Sequence, residues 1–207
     1  MMSMFFIVGL GNPGTEYEQT RHNTGAMALE AFRKSQEFPK WEFDRKRNAL
    51  VSEGKMGTEK VLLVFPQTYM NKSGEALKNL PFATRNLQQG KKKTKEIANA
   101  AVIHDDLDIP FGSFKISFNK SSGGHKGVES IIRALKTQAF TRVRIGIAQS
   151  AVAVKKSQDD ATVEKIILGK YTARQLVMLR KLSKRISEAL VCLITEGREK
   201  TMSLYHS

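Results

Sequence analysis

The chain has 207 residues, of which 41% are hydrophobic and 26% charged, and its formal net charge is +14. This length and composition predict one globular domain with a sizeable core. No apolar run approaches the length of about 18 residues that a membrane span needs, and the net charge favours a polyanionic partner such as a nucleic acid. The single cysteine, Cys192, excludes an internal disulfide, and its apolar helical context predicts a buried thiol in a reducing compartment.

The first half of the chain alternates apolar runs with polar loops. The short apolar run Phe5–Val8 predicts a first strand. It is not interpreted as a signal peptide, because it lacks a basic start and a cleavage site. The loop PQTYMNKSG contains Ser73, which is suited to cap a following helix. The basic stretch QQGKKKTKE is interpreted as a surface loop. The other elements predicted here are a helix over Thr24–Phe38, strands over Asn48–Ser52 and Lys60–Phe65, and a helix over Gly74–Leu87.

The second half continues the alternation. AAVIHDDLD predicts a buried strand with an acidic end, and the glycine-rich SSGGHKG opens a predicted helix. The elements predicted are strands over Phe111–Phe118 and Arg142–Ala148, a helix over Val128–Lys136, and helical structure from Asp159 that ends in a long helix over Thr172–Glu196. This order predicts a single α/β domain over residues 1–207, with a twisted mixed β-sheet flanked by helices in three layers.

The stretch GLGNPG, residues 9–14, matches the G-x-G-x-x-G pattern of dinucleotide-binding loops. Its context disagrees with that function. The first clear helix begins only near Thr24, and Pro13 removes an N–H that a phosphate would need. The acidic residue expected about 20 positions further on would fall within a helix, at Arg33–Glu37. We therefore expect no cofactor, and we interpret the glycines as a tight turn after the first strand.

His22, one of four histidines, lies in a polar loop after the first strand. Sites in α/β domains form where such loops converge, and PQTYMNKSG, HDDLD and SSGGHKG are candidates to join it. HDDLD could bind a divalent metal with His104 as nitrogen ligand, although successive strand side chains point to opposite faces. Alternatively, one aspartate pairs with His22, which then serves as general base for a water molecule. The residues alone leave both interpretations open.

Five segments carry a resemblance to a known family. They are VGLGNPGTEYEQTRHNTG (8–25), PQTYMNKSG (66–74), HDDLDIPFG (104–112), GGHKGVESI (123–131) and RVRIGIA (142–148). In this order and spacing, the chain resembles bacterial-type peptidyl-tRNA hydrolases. The resemblance implies hydrolysis of the ester between a peptide and the 3′ ribose of tRNA, without metal or cofactor. This reaction recycles tRNA from prematurely released peptidyl-tRNA.

The resemblance also implies a role for each matching residue. His22 would be the general base that activates water, and Asp105 would orient His22. Asn71 would meet the developing oxyanion, and Arg144 would hold the 5′-phosphate of the tRNA. The substrate-binding residues implied in this way are Asn12, Tyr17, Met70, Asn71, Lys126 and Arg144.

Two positions depart from the family pattern. GGHKG places Lys126 where the family usually has asparagine, and lysine cannot accept a hydrogen bond but can hold a phosphate. We therefore expect Lys126 to grip the backbone of the tRNA 3′ end. Ser117 stands where the family's phosphate clamp is often basic, so Lys115 or Lys120 is expected to substitute. His125 is expected to order its loop rather than to act as a second base.

Three hypotheses follow: a metal-free esterase acting on peptidyl-tRNA, an RNA-binding protein without catalysis, and a metal-dependent hydrolase built on His22, His104, Asp105 and His125. The first is favoured because the chain keeps both the base and its substrate clamps. Its expected partner is the acceptor stem and 3′ end of peptidyl-tRNA, held by phosphate contacts that read no sequence. DNA and membranes are not expected partners. A monomer in the cytoplasm is expected, with an organelle as the alternative location.

Overall fold

A computed structural model describes residues 4–89, 92–148 and 159–205. A seven-stranded sheet has the order β2-β3-β4-β1-β7-β9-β8, and β5 and β6 form a separate two-stranded sheet. The strands are β1 (Met4–Gly9), β2 (Glu42–Asp44), β3 (Ala49–Met56), β4 (Glu59–Pro66), β5 (Thr84–Gln89), β6 (Lys92–Ile97), β7 (Ala100–Pro110), β8 (Phe114–Phe118) and β9 (Thr141–Ala148). The α-helices are α1 (Thr24–Ser35), α2 (Lys126–Leu135), α3 (Asp160–Leu168), α4 (Ala173–Thr195) and α5 (Arg198–Leu204). Within the described residues, three 3₁₀ helices cover Thr15–Tyr17, Arg21–Asn23 and Met70–Leu77.

The main sheet is mixed. The neighbours β4, β1, β7 and β9 pair in parallel, whereas β2, β3 and β8 join by antiparallel pairing. Helices pack on both faces, so the predicted three-layer α/β domain is confirmed. The predicted outer limits of the domain, residues 1 and 207, lie outside the described residues. None of the described helices is long and apolar enough to cross a membrane.

Because successive side chains of the central strands point to opposite faces, each face of the sheet has its own core. Ile7 and Ile103 point into a core shared with α1 and α4. Val8 and Val102, the neighbouring residues in each strand, point into a second core that is covered by α2 and the 3₁₀ helix Met70–Leu77. The face covered by α1 and α4 is called the α1 face below, and the other the α2 face. Every site residue can be assigned to one of them or to the sheet end between them.

One predicted helix is wrong. Gly74–Leu87 is divided between the 3₁₀ helix Met70–Leu77 and strand β5. Pro81 explains the difference, because a proline inside a helix removes a hydrogen bond and clashes with the preceding turn. Ser73 does not cap a helix. It is buried within the 3₁₀ segment, where its Oγ donates to the carbonyl of Met70 at 2.8 Å.

The interpretation of QQGKKKTKE as a loop is also wrong for most of its length. Strand β6 begins at Lys92 and pairs with β5 in an antiparallel register from Thr84–Ile97 to Gln89–Lys92. Residues 90 and 91 lie outside the described residues. The strand could not be predicted from this segment, because its composition is mostly charged. The hydrogen bonds of β6 depend on a partner strand, β5, that lies earlier in the chain.

Most other elements agree with the prediction within a few residues. The long C-terminal helix is confirmed as α4, and Thr172 caps it through a capping box with Gln175. The strand predicted from Phe111 begins only at Phe114, because a turn with Gly112 at φ +94° precedes it. Cys192 lies in α4 as expected, but it is only partly buried, and it accepts a hydrogen bond from Thr201 at 3.4 Å.

Candidate active site

A cavity of about 520 Å³ opens at the carboxyl ends of β1 and β7. It is lined by the turn after β1, the 3₁₀ helix Met70–Leu77, the end of β7, the start of α2 and one face of α3. The cavity collects most of the residues singled out in the sequence, namely Asn12, His22, Met70, Asn71, Asp105 and Lys126. Close approach of α1 makes this convergence feasible. A Cβ on Gly25 would lie 2.2 Å from the Ile103 carbonyl, so only glycine fits at the helix start.

His22 and Asp105 form a buried pair at the base of the cavity. His22 is part of the 3₁₀ turn Arg21–Asn23 directly before α1, and Asp105 lies on β7 just beyond the end of β1. The Nδ1 atom of His22 lies 3.0 and 3.1 Å from the two carboxylate oxygens of Asp105. Asp105 is only 3% exposed. Because the carboxylate can only accept, Nδ1 carries the proton, and Nε2 remains as the basic nitrogen of His22.

His125 approaches the same carboxylate from the α2 face. Its Nε2 lies 2.9 Å from Oδ1 of Asp105, and its Nδ1 accepts from the backbone N–H groups of Gly127 and Val128 at 3.1 and 3.3 Å. Since Nδ1 is an acceptor, Nε2 must carry the proton and donate it to Asp105. The loop-ordering role expected for His125 is present, because His125 is the N-cap of α2. Its bond to Asp105 was not foreseen.

These contacts set the charge of the pair. Burial opposes ionisation of Asp105, but the two histidines and their hydrogen bonds outweigh it and hold the pKa of the carboxyl well below its usual range. For His22, burial lowers the pKa, the charge and hydrogen bond of Asp105 raise it, and nearby Lys126 lowers it; the net result is a raised pKa. Asp105 is therefore ionised, and His22 is a stronger base than an ordinary histidine.

His22, Asp105 and His125 also form a group whose ligand atoms lie within 4.8 Å of one another. A metal bound through His125 Nε2 would have to displace its proton, yet Nδ1 of the same ring faces two backbone donors and cannot take that proton. The arrangement of donors therefore opposes a metal here. His104 is outside the group, because its Nδ1 donates to the Asp105 carbonyl at 2.6 Å and its burial lowers its pKa well below the ordinary value.

Asn12 is held by both its backbone and its side chain. Asn23, the residue after His22, accepts from Asn12 N at 2.8 Å and donates to Asn12 O at 2.9 Å. The side-chain oxygen of Asn12 accepts from Met70 N at 2.8 Å. The Nδ2 group of Asn12 is the donor that remains for a ligand in the cavity. The GLGNPG turn therefore fixes Asn12 beside His22.

The mouth of the cavity on the α2 face is polar and aromatic. Asn71 and Lys126 are exposed there, and Lys126 is the first residue of α2. Tyr69 is 59% exposed and lines the cavity. Tyr17 does not line it, but its ring meets that of Tyr69 edge to face, with centroids 6.4 Å apart. Tyr17 is thus connected to the site through a residue that the motif analysis did not single out.

Arg144 is not part of the cavity wall. It lies on β9, where its Nε donates to Asp106 at 2.6 Å, and Asp106 itself lines the cavity. Lys115 pairs with Arg144 in the β8–β9 register, so their side chains share one face of the sheet. Ser117 pairs instead with Arg142, which is buried. Burial and the charge of Arg144 lower the pKa of Arg142 to about 10.

Sequence reasoning missed Asn23, the Asp105 contact of His125, Tyr69 and the whole contribution of α3. Asn23 and Tyr69 each stand next to a residue that was chosen, and Asn23 is a polar residue at the start of an apolar helix face. No comparable signal marks α3, because its part in the cavity depends on where the chain returns after β9.

Comparison with known proteins finds similarity to one family. A family model described as peptidyl-tRNA hydrolase matches residues 6–207. The peptidyl-tRNA hydrolase of Thermodesulfovibrio yellowstonii is 36% identical over 98% of this chain and 99% of its own length. That of Carboxydothermus hydrogenoformans is 37% identical over 97% of each chain. The crystal structure of peptidyl-tRNA hydrolase from Acinetobacter baumannii superposes with a TM-score of 0.78 at 26% identity, covering 98% of this chain and 95% of that one.

Proposed function

The chain belongs to the peptidyl-tRNA hydrolase family, and from that premise we propose that His22 activates water for ester hydrolysis, with Asp105 as its partner. The enzyme is a hydrolase of ester bonds that releases tRNA from peptidyl-tRNA. The observation that carries the mechanism is the buried His22–Asp105 hydrogen bond at 3.0 Å, which leaves Nε2 of His22 as a base beside the cavity.

The reaction requires one proton relay. Nε2 of His22 takes a proton from water as the water oxygen attacks the ester carbonyl. Asp105 stabilises the imidazolium that forms. The resulting oxyanion meets the side-chain N–H groups of Asn12 and Asn71. The intermediate then expels the 3′ ribose oxygen, which receives the proton from His22, and the peptide leaves as a carboxylic acid that loses its remaining proton to water. These few groups suffice because the ester is activated. General-base catalysis accelerates the reaction by about 10²–10⁴-fold, and positioning of the substrate supplies the rest of the acceleration.

The tRNA is proposed to enter from the α2 face. Lys126 grips the backbone of the 3′ end, while Met70 lines the pocket and Tyr17 supports the ring of Tyr69. Arg144 holds the 5′-phosphate of the acceptor stem, and its register partner Lys115 is better placed than Lys120 to complete that clamp. Phosphate contacts of this kind provide affinity without reading sequence, which suits an enzyme for many tRNAs.

A monomer acting in the cytoplasm remains our proposal. It rests on the bacterial origin of the relatives. Sedimentation of the purified chain at micromolar concentration tests the first part. A sedimentation coefficient that rises with protein concentration would contradict it.

Release of an N-acetylated amino acid from an acylated tRNA tests the mechanism. In EDTA, the wild type should keep full activity, whereas His22→Ala should lose about 10²–10⁴-fold in kcat. The tRNA should still bind His22→Ala with nearly unchanged affinity, which separates loss of chemistry from loss of the substrate site.

Three outcomes would contradict the proposal. Equal turnover by His22→Ala would remove the histidine from the mechanism. Loss of wild-type activity on chelation, restored by added metal, would favour the metal-dependent alternative. Binding of tRNA by the wild type without turnover would favour an RNA-binding protein.

A further inference from the structure

The hairpin of β5 and β6 is strongly basic and has no part in the chemistry. Residues 84–97 contain five lysine or arginine residues and one acidic residue, Glu96. None of the described residues of the hairpin lines the catalytic cavity. An excess of positive charge attracts a polyanion, so the position of the hairpin relative to the cavity decides which part of a tRNA it can reach.

We propose that three cations at the base of this hairpin bind phosphates of the double-stranded part of the tRNA, beyond the end that the cavity holds. They are Lys95, Arg133 and Lys136, and they are called the hairpin surface below. The inference rests on the proposed function, because it takes the 3′ end to lie in the cavity and the 5′-phosphate at Arg144. It adds a second contact area, remote from the ester, that provides affinity and takes no part in the reaction.

One edge of the hairpin is joined to the segment that follows α2. Ile97 N donates to Ala139 O at 2.8 Å, and Thr137 Oγ1 donates to Lys95 O at 2.6 Å. Ile97 is buried in the core of the α2 face, and Lys95, two residues earlier in β6, lies on the same side of the strand. The Lys95 side of the hairpin is exposed and is therefore continuous with the α2 face.

The opposite side of the hairpin packs towards α5 and β8. Glu96 forms an ion pair with Arg198 of α5, and the guanidinium of Arg198 lies 3.7 Å from the ring centroid of Phe118 at the end of β8. Arg85 shares this side of the hairpin, because it pairs with Glu96 in the β5–β6 register. The single acidic residue of the hairpin is thus directed inwards, and the hairpin is anchored beside β8.

The hairpin surface lies in line with the groups that are proposed to hold the two ends of the tRNA. Arg144 pairs with Lys115 on β8, and Phe118 lies three residues further along that strand, about 10 Å away. Helix α2 gives the same direction, because its first residue, Lys126, lines the cavity and Lys136 follows its last residue beside the hairpin. The ten residues of α2 span about 15 Å. A duplex that continues in this direction past Arg144 reaches the hairpin surface.

The cations of the hairpin surface are available to phosphates. All three are exposed, and none forms an ion pair or a side-chain hydrogen bond with a described residue. Arg133 follows Lys126 at i+7 and shares its exposed face of α2, where Glu129 is the acidic residue between them. Duplex RNA is recognised mainly by its shape and its phosphates, so cations of this kind bind many tRNAs without reading sequence.

A neutral double variant, Lys95→Gln/Lys136→Asn, tests the proposal with two substrates. Asparagine is chosen at residue 136 because φ is +55° there, a conformation that asparagine tolerates. One substrate is a complete tRNA, and the other is a short RNA hairpin that keeps the 5′-phosphate, the first base pairs and the 3′ end. Both carry an N-acetylated amino acid.

For the complete tRNA, the variant should raise KM by about tenfold at moderate salt and reduce the slope of log KM against log salt by about two, because two phosphate contacts are lost. The KM of the short substrate and kcat for both substrates should stay at the wild-type values. Lys181→Gln/Lys184→Gln is the matched control, since both lysines are exposed on α4, across the sheet, and the loss of charge is the same. Thermal unfolding checks that each variant is folded.

The outcomes distinguish a duplex contact from other roles of the charge. An equal rise in KM for both substrates would place the contact at the ester end, and unchanged KM and slope would remove the hairpin surface from RNA binding. An equal effect of the control pair would attribute the change to net charge alone. Each of these results would overturn the proposal. Binding of deacylated tRNA to the same variants is independent of catalysis, so a failure of the His22→Ala test would leave this comparison intact.

Discussion

The base of the cavity and its mouth on the α2 face hold their polar groups in opposite ways. At the base, Asp105 receives N–H donors from His22 and His125, and the far nitrogen of the His125 ring is held by the backbone N–H groups of Gly127 and Val128. At the mouth, Lys126 and Asn71 are exposed, and no hydrogen bond joins either side chain to another described residue. The base is organised before substrate arrives, whereas the mouth acquires its contacts from the substrate.

This contrast predicts where rate and affinity reside. Groups fixed in a buried network cost no reorganisation during the reaction, so their loss should lower kcat. Exposed cations contribute by screened attraction to phosphates, so their loss should change KM and its salt dependence. Variants at the two ends of the cavity should consequently separate in kinetics.

The largest effect is expected at the centre of the network. Asp105→Asn removes the ionised acceptor that fixes the His22 tautomer and stabilises its protonated form, so kcat should fall by about 10²–10⁴-fold. Asp108→Asn is a matched control, because Asp108 lines the same cavity but is exposed. Steady-state kinetics should show a loss confined to Asp105→Asn; similar kcat values for the two variants would refute the assigned role.

A smaller loss of roughly ten- to a hundredfold in kcat is expected when only one donor to Asp105 is removed, since the His22 bond persists. His125→Ala and His125→Asn both delete that donor, but asparagine can still cap α2. Both variants should therefore lose rate, while only the alanine variant should lose about 1 kcal/mol of unfolding free energy. Thermal unfolding measured beside kinetics checks this, and full activity of His125→Asn would limit the residue to capping.

The positive charge of Lys126, at the mouth of the cavity, acts on His22 at its base. Replacing Lys126 should therefore shift the pH dependence of kcat/KM. The base must be unprotonated, so kcat/KM should fall as pH drops through the pKa of His22. Because Lys126 lowers that pKa, Lys126→Asn should raise it and move the acid limb to higher pH, whereas Lys126→Arg should leave the limb in place. The asparagine variant should also raise KM and flatten its salt dependence. Unchanged KM and salt dependence would exclude a phosphate contact.

The smallest effect is expected at the phosphate clamp. Lys115→Ala should raise KM a few-fold at moderate salt and reduce the slope of log KM against log salt by about one, as expected for one lost phosphate contact. Lys120→Ala serves as the comparison, because Lys120 does not pair with Arg144 across β8 and β9. If Lys120→Ala produced the larger change in slope, the clamp would have to be reassigned.

Strong local patterns allowed much of the fold to be predicted. Buried strands such as Phe5–Val8 and the capped helix after Thr172 carry their own signals, because apolar periodicity and capping are properties of neighbouring residues. The hairpin of β5 and β6 was missed because a strand becomes stable only beside its partner, and lysine-rich segments show no alternation that would mark one. Pro81 was the local sign that should have ended the predicted helix.

By itself, the sequence determined which residue types could perform the chemistry. They are a histidine, a carboxylate and two amides, and each lies in a motif from which it could be identified. Tertiary structure decided their relations. It brought His125 to Asp105 across the sheet end, tied Asn12 to Asn23, and returned α3 to the cavity after β9. Hydrogen bonds over such sequence separations depend on strand order and helix packing, which local patterns do not specify. The protonation states followed only when burial and all the partners were known.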